Sequence, residues 1–245
     1  MHALQTWGIS DAGLVRDTNE DRWLVEPSLG LAMVADGMGG TACGEVAAAL
    51  AIESVIEYMR WPGREGEPLA LLQEAIRHAH QRVRQEAESR PQCRGMGTTL
   101  VAALWRLPHI YFANVGDSRA YLFRDSRLIQ LSYDQTLLNE LRVKFGLSHE
   151  QVAKLPYQHV LTMAVGAGEQ IIIHTQCETL RPGDQVLLCS DGLSGPVPEQ
   201  QIAAILAGAD PLPDKAARLL EAARAHGAPD NVTAVLLCYA SPSAQ

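Results

Sequence analysis

Residues 29–40, Leu-Gly-Leu-Ala-Met-Val-Ala-Asp-Gly-Met-Gly-Gly, run from an apolar stretch straight into a carboxylate and a glycine-rich turn. The apolar part, Gly- and Asp-bounded, reads as a strand. From Gly44 to Arg60 the period changes. Val46, Leu50, Ile52, Val55, Ile56 and Met59 recur near helical spacing, with Glu45, Glu53 and Glu57 on the other side. A strand here ends in an acidic, glycine-rich turn and a helix follows it.

Upstream, LQTWGIS (4–10) and RWLVEP (22–27) read as two more strands. Downstream, WPGREGEP (61–68) breaks the first helix, and a second runs from about Leu69 to Glu88 on a stripe of Leu69, Leu72, Ile76, Ala79 and Val83. Two adjacent helices predict a packed pair. GMGTTLVAALWR (95–106), HIYFANVGD (109–117), SRAYLFRD (118–125) and SRLIQLS (126–132) follow as strand-like runs separated by tight turns, a meander with antiparallel pairing. Residues 134–168 differ, with short helical pieces at 136–146 and 148–155 and a Gly-rich AVGAGE, and predict a mobile excursion off the core. Strands at 171–180 and 184–191, helices at 198–208 and 213–227 and a last strand at 231–240 close the chain before a short tail, 241–245. Strands and helices do not alternate regularly, which argues against a parallel doubly wound sheet. A two-sheet sandwich flanked by helices fits.

The length of 245 residues with 47% hydrophobic content suits one domain over 1–240. A formal net charge of -8 repels polyanions and lacks the basic footprint of nucleic-acid or anionic-membrane binders. Cys43, Cys93, Cys177, Cys189 and Cys238 are odd in number, widely spaced and mostly in apolar runs, which predicts free thiols in a reducing compartment. No signal-peptide pattern opens the chain and no apolar run approaches the ~20 residues of a membrane span, so a cytoplasmic location is expected.

Four aspartates sit where an apolar run meets a turn: Asp36, Asp117, Asp191 and Asp230. Any one Asp-Gly after a strand is an ordinary turn. Several carboxylates converging from strand ends repel one another unless a cation neutralises them, so the joint pattern points to metal. The donors are hard oxygens, with no Cys/His cluster, which favours magnesium or manganese over zinc. Gly37 offers a backbone carbonyl, and Gly39 and Gly40 permit close approach. A bridged metal pair suits in-line phosphoryl displacement, hence phosphoester hydrolysis. Arg16 in RDTNED either binds a phosphate as a bidentate donor or pairs with Asp17 or Glu20 at the surface, and spacing leaves both open. His78 and His80 point to different faces of their helix and read as surface residues, while His2, His109, His149, His159, His174 and His226 form no metal-spaced cluster. Ser118 and Ser190 lack a His partner at triad spacing, and Cys189 reads as a core thiol.

RDTNEDRW, VADGMGG, GMGTTLVAAL, ANVGDSRAYL, LCSDGLSG and APDNVTAVLL, in this order, resemble the metal-dependent serine/threonine protein phosphatases of the type 2C (PPM) family in its compact bacterial form. The resemblance spans nearly the whole chain. It implies an α+β fold, a four-layer α-β-β-α sandwich of two mostly antiparallel sheets flanked by helix pairs, with a dinuclear Mn2+ or Mg2+ centre at one end. By motif position Asp36 bridges two metals, with the Gly37 carbonyl and Glu20 on one side and Asp191 and Asp230 on the other. Asp21 acts through metal-bound water, Asn231 supports the site, and Arg16 is the phosphate-binding arginine. Asp117, with Asp191, matches the ligands of a third metal. The resemblance further implies phosphoprotein substrates made by a serine/threonine kinase; a monomer is expected, and the acidic charge and the lack of a long apolar run predict no nucleic-acid or membrane partner. The chain departs from the family pattern at Gln135 (commonly His), Met163 (commonly Arg), Thr41 (often His in bacterial relatives) and Met38 (His in eukaryotic members, a proposed general acid). With Met38 there, leaving-group protonation falls to a metal-bound water or another group. The altered flap residues also motivate a competing expectation, a catalytically silent phosphoprotein-binding regulator on the same fold.

Overall fold

The computed structural model describes residues 4–39, 43–63, 66–152, 155–156 and 160–240. His2, Gly40, Thr41, His159 and the tail 241–245 lie outside the described residues.

One sheet carries the order β1 (Leu4–Asp11), β11 (Val232–Tyr239), β10 (Gln185–Cys189), β7 (Arg119–Arg124), β8 (Arg127–Gln130). The other carries β2 (Asp21–Glu26), β3 (Leu31–Met38), β5 (Leu100–Arg106), β6 (His109–Val115), β9 (His174–Thr179), with the short β4 (Gly97–Thr98) also on β3. Every pairing is antiparallel. Helices α1 (Cys43–Arg60) and α2 (Pro68–Ser89) cover the second sheet. On the first lie α6 (Glu199–Ala207) and α7 (Leu212–Ala225), together with a single turn, α5 (Asp191–Ser194). This is the four-layer α-β-β-α sandwich that the resemblance implies.

Strand β3 shows how the sequence builds the layers. Its side chains alternate, so Leu31, Met33 and Ala35 pack under α1 and α2 while Ala32 and Val34 face the opposite sheet. Both faces are buried, which is why the run is apolar throughout rather than alternating. Phe112, Leu122, Leu188, Val235 and Leu237 complete the inter-sheet layer.

Three sequence expectations are corrected. The meander breaks between β6 and β7, because Gly116–Ser118 carry the chain from one sheet to the other and β6 pairs with β9 instead. Cys43 and Cys93 are not free thiols but a disulfide, with Cα atoms 5.4 Å apart. The α1–α2 hairpin returns the chain to the start of α1, a proximity that a separation of 50 residues does not reveal. Cys177, Cys189 and Cys238 are free. His80 is no surface residue: it is 4% exposed and its Nδ1 accepts the Gly166 N–H at 3.0 Å.

Between β8 and β9 the chain forms α3 (Leu137–Phe145) and α4 (His149–Val152), which pack on each other rather than on a sheet. Bridges Thr136–Leu161 and Thr98–Val165 pin the departing and returning ends.

Candidate metal centre

The carboxylates gather at one end of the sandwich because antiparallel pairing brings the end of β3, the start of β2, the end of β10, the start of β11 and the β6–β7 crossing to the same side. Asp21 and Asp36 are directly paired across β2 and β3. Asp191 opens α5 just beyond β10, and Asp230 and Asn231 lead into β11.

Asp36 keeps some solvent-accessible area yet is densely surrounded by protein atoms. Burial first, then repulsion from Asp21, Asp191, Asp117 and Asp230, holds its carboxyl well above the ordinary range. Its backbone is fixed independently: the Asp36 N–H donates to Thr99 Oγ1 at 3.0 Å, and the Asp36 carbonyl accepts from the Thr99 N–H at 2.8 Å and Thr98 Oγ1 at 2.9 Å.

Asp21 is 1% exposed, and burial pushes its carboxyl from 3.8 up to about 7. Two hydroxyls oppose the shift: Ser190 Oγ donates to Asp21 Oδ2 at 2.7 Å and Thr233 Oγ1 at 2.6 Å. The donors line up behind them. Asn19 Nδ2 lies 2.8 Å from Ser10 Oγ, and Ser10 Oγ lies 2.7 Å from Thr233 Oγ1, so with Thr233 giving its proton to Asp21 each hydroxyl receives one from behind. Oδ2 is saturated, whereas Asp21 Oδ1 is buried with no hydrogen-bond partner among the described residues. Asp117 is likewise raised to about 7, by burial and then by Asp191 and Asp134, with Arg119 opposing.

Glu20 is raised by burial, while Arg16 and the Gly44 backbone amide pull it down. Gly44, at the start of α1, has no room for a side chain, since a Cβ there would lie 2.6 Å from Glu20 Oε2. At Gly37 a Cβ would lie 2.0 Å from the Gly44 carbonyl oxygen, so this close approach of turn and helix needs glycine on both sides. Arg16 pairs with neither Asp17 nor Glu20: its Nη2 donates to Asp230 Oδ2 at 2.7 Å, from the solvent side with 56% of its side chain exposed. Asn231 acts as a staple. Its Oδ1 accepts the Glu20 N–H at 2.8 Å and its Nδ2 donates to the carbonyls of Ala12 and Thr18 at 2.9 and 2.8 Å.

All nine candidate residues therefore meet at one end of the fold. Among the described residues no three acidic, cysteine or histidine side chains close on a single point as a finished cage. What marks the site is charge that its cations do not offset: Arg16 is set against Asp230, Asp36 and Glu20, and Arg119 against Asp117, yet Asp21, Asp36 and Asp117 all stay raised. The donor set is all oxygen, and Asp21 Oδ1 meets no hydrogen-bond donor among the described residues, which suits hard divalent cations.

Sequence spacing missed the hydroxyl cage of Ser10, Ser190 and Thr233, the Thr99–Ser118 pair (2.7 Å) and the Arg119–Asp134 ion pair (2.6 Å). Ser190 and Ser118 are engaged in these contacts. Cys189 is fully buried and its thiol is pushed up to about 12 by burial, as a core thiol should be.

The sequence profile of the Protein phosphatase 2C family matches residues 15–236. The chain belongs to this family. Among protein phosphatase 2C relatives, the serine/threonine protein phosphatase PstP of Mycobacterium tuberculosis is 38% identical over 227 residues, 93% of this chain but 43% of PstP. The chain thus spans less than half the length of that relative. The serine/threonine phosphatase stp of Listeria monocytogenes is 35% identical over 238 residues, 93% of each chain. A crystal structure of the PstP catalytic domain in complex with two manganese ions superposes with a TM-score of 0.87 at 36% identity, covering 98% of this chain and 100% of that one. The family read from the six motifs is borne out. No described helix is long and apolar enough to cross a membrane.

Proposed function

We propose that this chain hydrolyses phosphoserine and phosphothreonine esters on proteins, as a single catalytic domain over 1–240 whose 134–168 excursion serves as a flap. The observation that carries the reading is the set of desolvated, mutually repelling carboxylates Asp21, Asp36 and Asp117, beside an exposed arginine.

Asp36 would bridge two Mn2+ or Mg2+ ions, with the Gly37 carbonyl and Glu20 serving one and Asp191 and Asp230 the other, and Asp117 with Asp191 would hold a third. Such ions, when bound, neutralise phosphate charge and lower the pKa of water. The protein's own groups do the rest. Arg16 reaches the cluster from solvent, so a phosphate monoester meets a forked, permanently charged donor at the entrance. Asn231 holds the 12–20 loop that carries Arg16 and Glu20, which fixes both against β11. The hydroxyl cage pins Asp21 Oδ2, while Oδ1, buried and without a hydrogen-bond partner among the described residues, would be left for the ions. Met38 brings no proton-carrying group to the site. The net charge of -8 favours a protein substrate over a nucleic acid. A cytoplasmic monomer acting on products of a serine/threonine kinase completes the proposal.

The test is manganese- or magnesium-dependent hydrolysis of a phosphothreonine peptide and of p-nitrophenyl phosphate. Turnover is expected with the wild type and is lost in Asp191→Asn with the fold retained. No turnover with either metal, or a fully active Asp191→Asn, would sink the assignment. A finer expectation concerns the cage. Thr233→Val removes one of two charge-assisted bonds to a buried carboxylate, costing about 1.5–3 kcal/mol, so activity falls roughly tenfold and Tm drops. Thr233→Ser, which keeps the hydroxyl, should sit near wild type by the same two measurements.

A further inference from the structure

Gln135 stands at the start of the 134–168 excursion and is 4% exposed. Its backbone N–H donates to the Gly116 carbonyl at 3.0 Å, and its side-chain Oε1 accepts the Gly116 N–H at 2.8 Å. Gln135 thus meets both polar backbone groups of Gly116; the carbonyl also accepts a longer bond from Asn114 Nδ2 at 3.4 Å, whereas the N–H is held by Gln135 Oε1. On its other side, Gln135 Nε2 donates to the Ile172 carbonyl at 2.8 Å, and the Gln135 carbonyl accepts the Thr162 N–H at 2.8 Å. Gly116 immediately precedes Asp117. It adopts φ +92°, and a Cβ there would lie 2.7 Å from Thr99 Cγ2, so the turn presenting Asp117 depends on backbone clamping rather than side-chain packing at that point. The neighbouring Asp134 is fixed by Arg119, whose Nε and Nη2 donate to it at 3.0 and 2.6 Å, and by Gln130 Nε2 at 2.8 Å.

We infer that Gln135 is a positioning residue: its side-chain amide ties the Asp117 turn to Ile172, just beyond the 134–168 excursion, while its backbone carbonyl holds the returning limb at Thr162, so that the seating of the excursion's ends on the core sets the Asp117 carboxylate. The inference rests on the proposed role of Asp117 as a metal ligand. The chemistry required at position 135 is one acceptor toward Gly116 and one donor toward Ile172. A neutral amide supplies both and adds no charge beside an already acidic cluster. A neutral imidazole also carries one acceptor and one donor, whereas methionine, of similar volume, carries neither strong group.

The experiment titrates the full chain with Mn2+ calorimetrically, comparing wild type, Gln135→Met, Gln135→His and Asp117→Asn, and measures kcat and KM for p-nitrophenyl phosphate at pH 8. Gln135→Met is expected to weaken the weakest Mn2+ step about tenfold or more, as Asp117→Asn does, with the tighter steps unchanged. It should lower kcat with KM for the aryl phosphate held, and speed amide exchange at Gly116 in chelated protein. Gln135→His should recover most of the Mn2+ affinity. If Asp117→Asn weakens that step and Gln135→Met does not, or if Gln135→Met weakens every step equally, the bridging role is overturned while the ligand role of Asp117 stands. If Asp117→Asn leaves all steps unchanged, the ligand reading itself fails and takes the bridge with it. Should Gln135→Met not fold, Gln135→Ala, which also lacks donor and acceptor, takes its place: a lost weak step with the tight steps intact supports the bridge, and an unchanged weak step with unaltered exchange at Gly116 overturns it.

Discussion

Asp36→Asn is expected to remove at least about 10^3 of the phosphatase activity, equivalent to about 4 kcal/mol of transition-state stabilisation, while making the metal-free protein more stable. The two halves come from one cause. Asp36 is the carboxylate on which burial and four neighbouring acids converge, so its charge is costly to the fold and valuable only to a cation. Asparagine keeps the shape and removes the charge. The backbone at this position is held by Thr98 and Thr99, so the exchange need not move β3. In chelated protein the Tm of Asp36→Asn should exceed that of wild type, and with saturating Mn2+ the order should reverse because the variant gains little from the ion. Activity within tenfold of wild type, or a lower Tm in the chelated variant, would refute this account of the centre.

Much of this centre is legible in the order of residues alone, and the reason is physical. A carboxylate at a strand end, followed by glycine, leaves a local mark in the sequence: Asp36-Gly37 and Asp191-Gly192 are such pairs, and their glycines prove sterically obligatory, since a Cβ on Gly192 would lie 1.9 Å from the Asn231 carbonyl oxygen. The layers are legible for a similar reason. Burial on two faces makes β3 continuously apolar, and burial on one face gives α2 its stripe of Leu72, Ile76, Ala79 and Val83.

What escapes has long sequence separation and small or ambiguous residues. Thr233 and Ser190 reach Asp21 over separations of 212 and 169 residues, and a threonine in a strand looks the same whether or not it holds a carboxylate. Cys43 and Cys93 meet only because two helices fold back on each other. The crossing at Gly116 reads as a hairpin turn because a tight glycine turn within one sheet and one between sheets share a local signature. Gln135 offers no hint of its bridging role, for only the tertiary fold brings Gly116 and Ile172 to its two ends.

The stability of chelated protein should fall as pH rises from about 5 to about 8, the reverse of the behaviour of a protein stabilised by ion-paired carboxylates. Asp21 and Asp117 titrate near 7 in the fold, against an ordinary value of 3.8. Between those values the folded chain keeps protons that the unfolded chain has released, so unfolding releases protons and each unit rise in pH favours the unfolded state. Each of the two groups then forfeits about 2.5 kcal/mol over that range, and Asp36 acts in the same direction. His80 and His174, whose protonation burial disfavours, oppose the trend below about pH 6.5. The net expectation is a decline in Tm of about 10 °C, at roughly 2–4 °C per kcal/mol for a chain of this size. Mn2+ should offset a large part of it, because the ion binds the deprotonated carboxylates and each site filled at 100 times its Kd adds about 2.7 kcal/mol. Its stabilising effect must therefore be larger at pH 8 than at pH 5.5. Thermal melts with chelator and with Mn2+ across this range decide the matter. A chelated Tm that stays level or climbs between pH 6.5 and pH 8 would mean that these carboxylates are already compensated in the fold, and the electrostatic case for a metal centre would be lost.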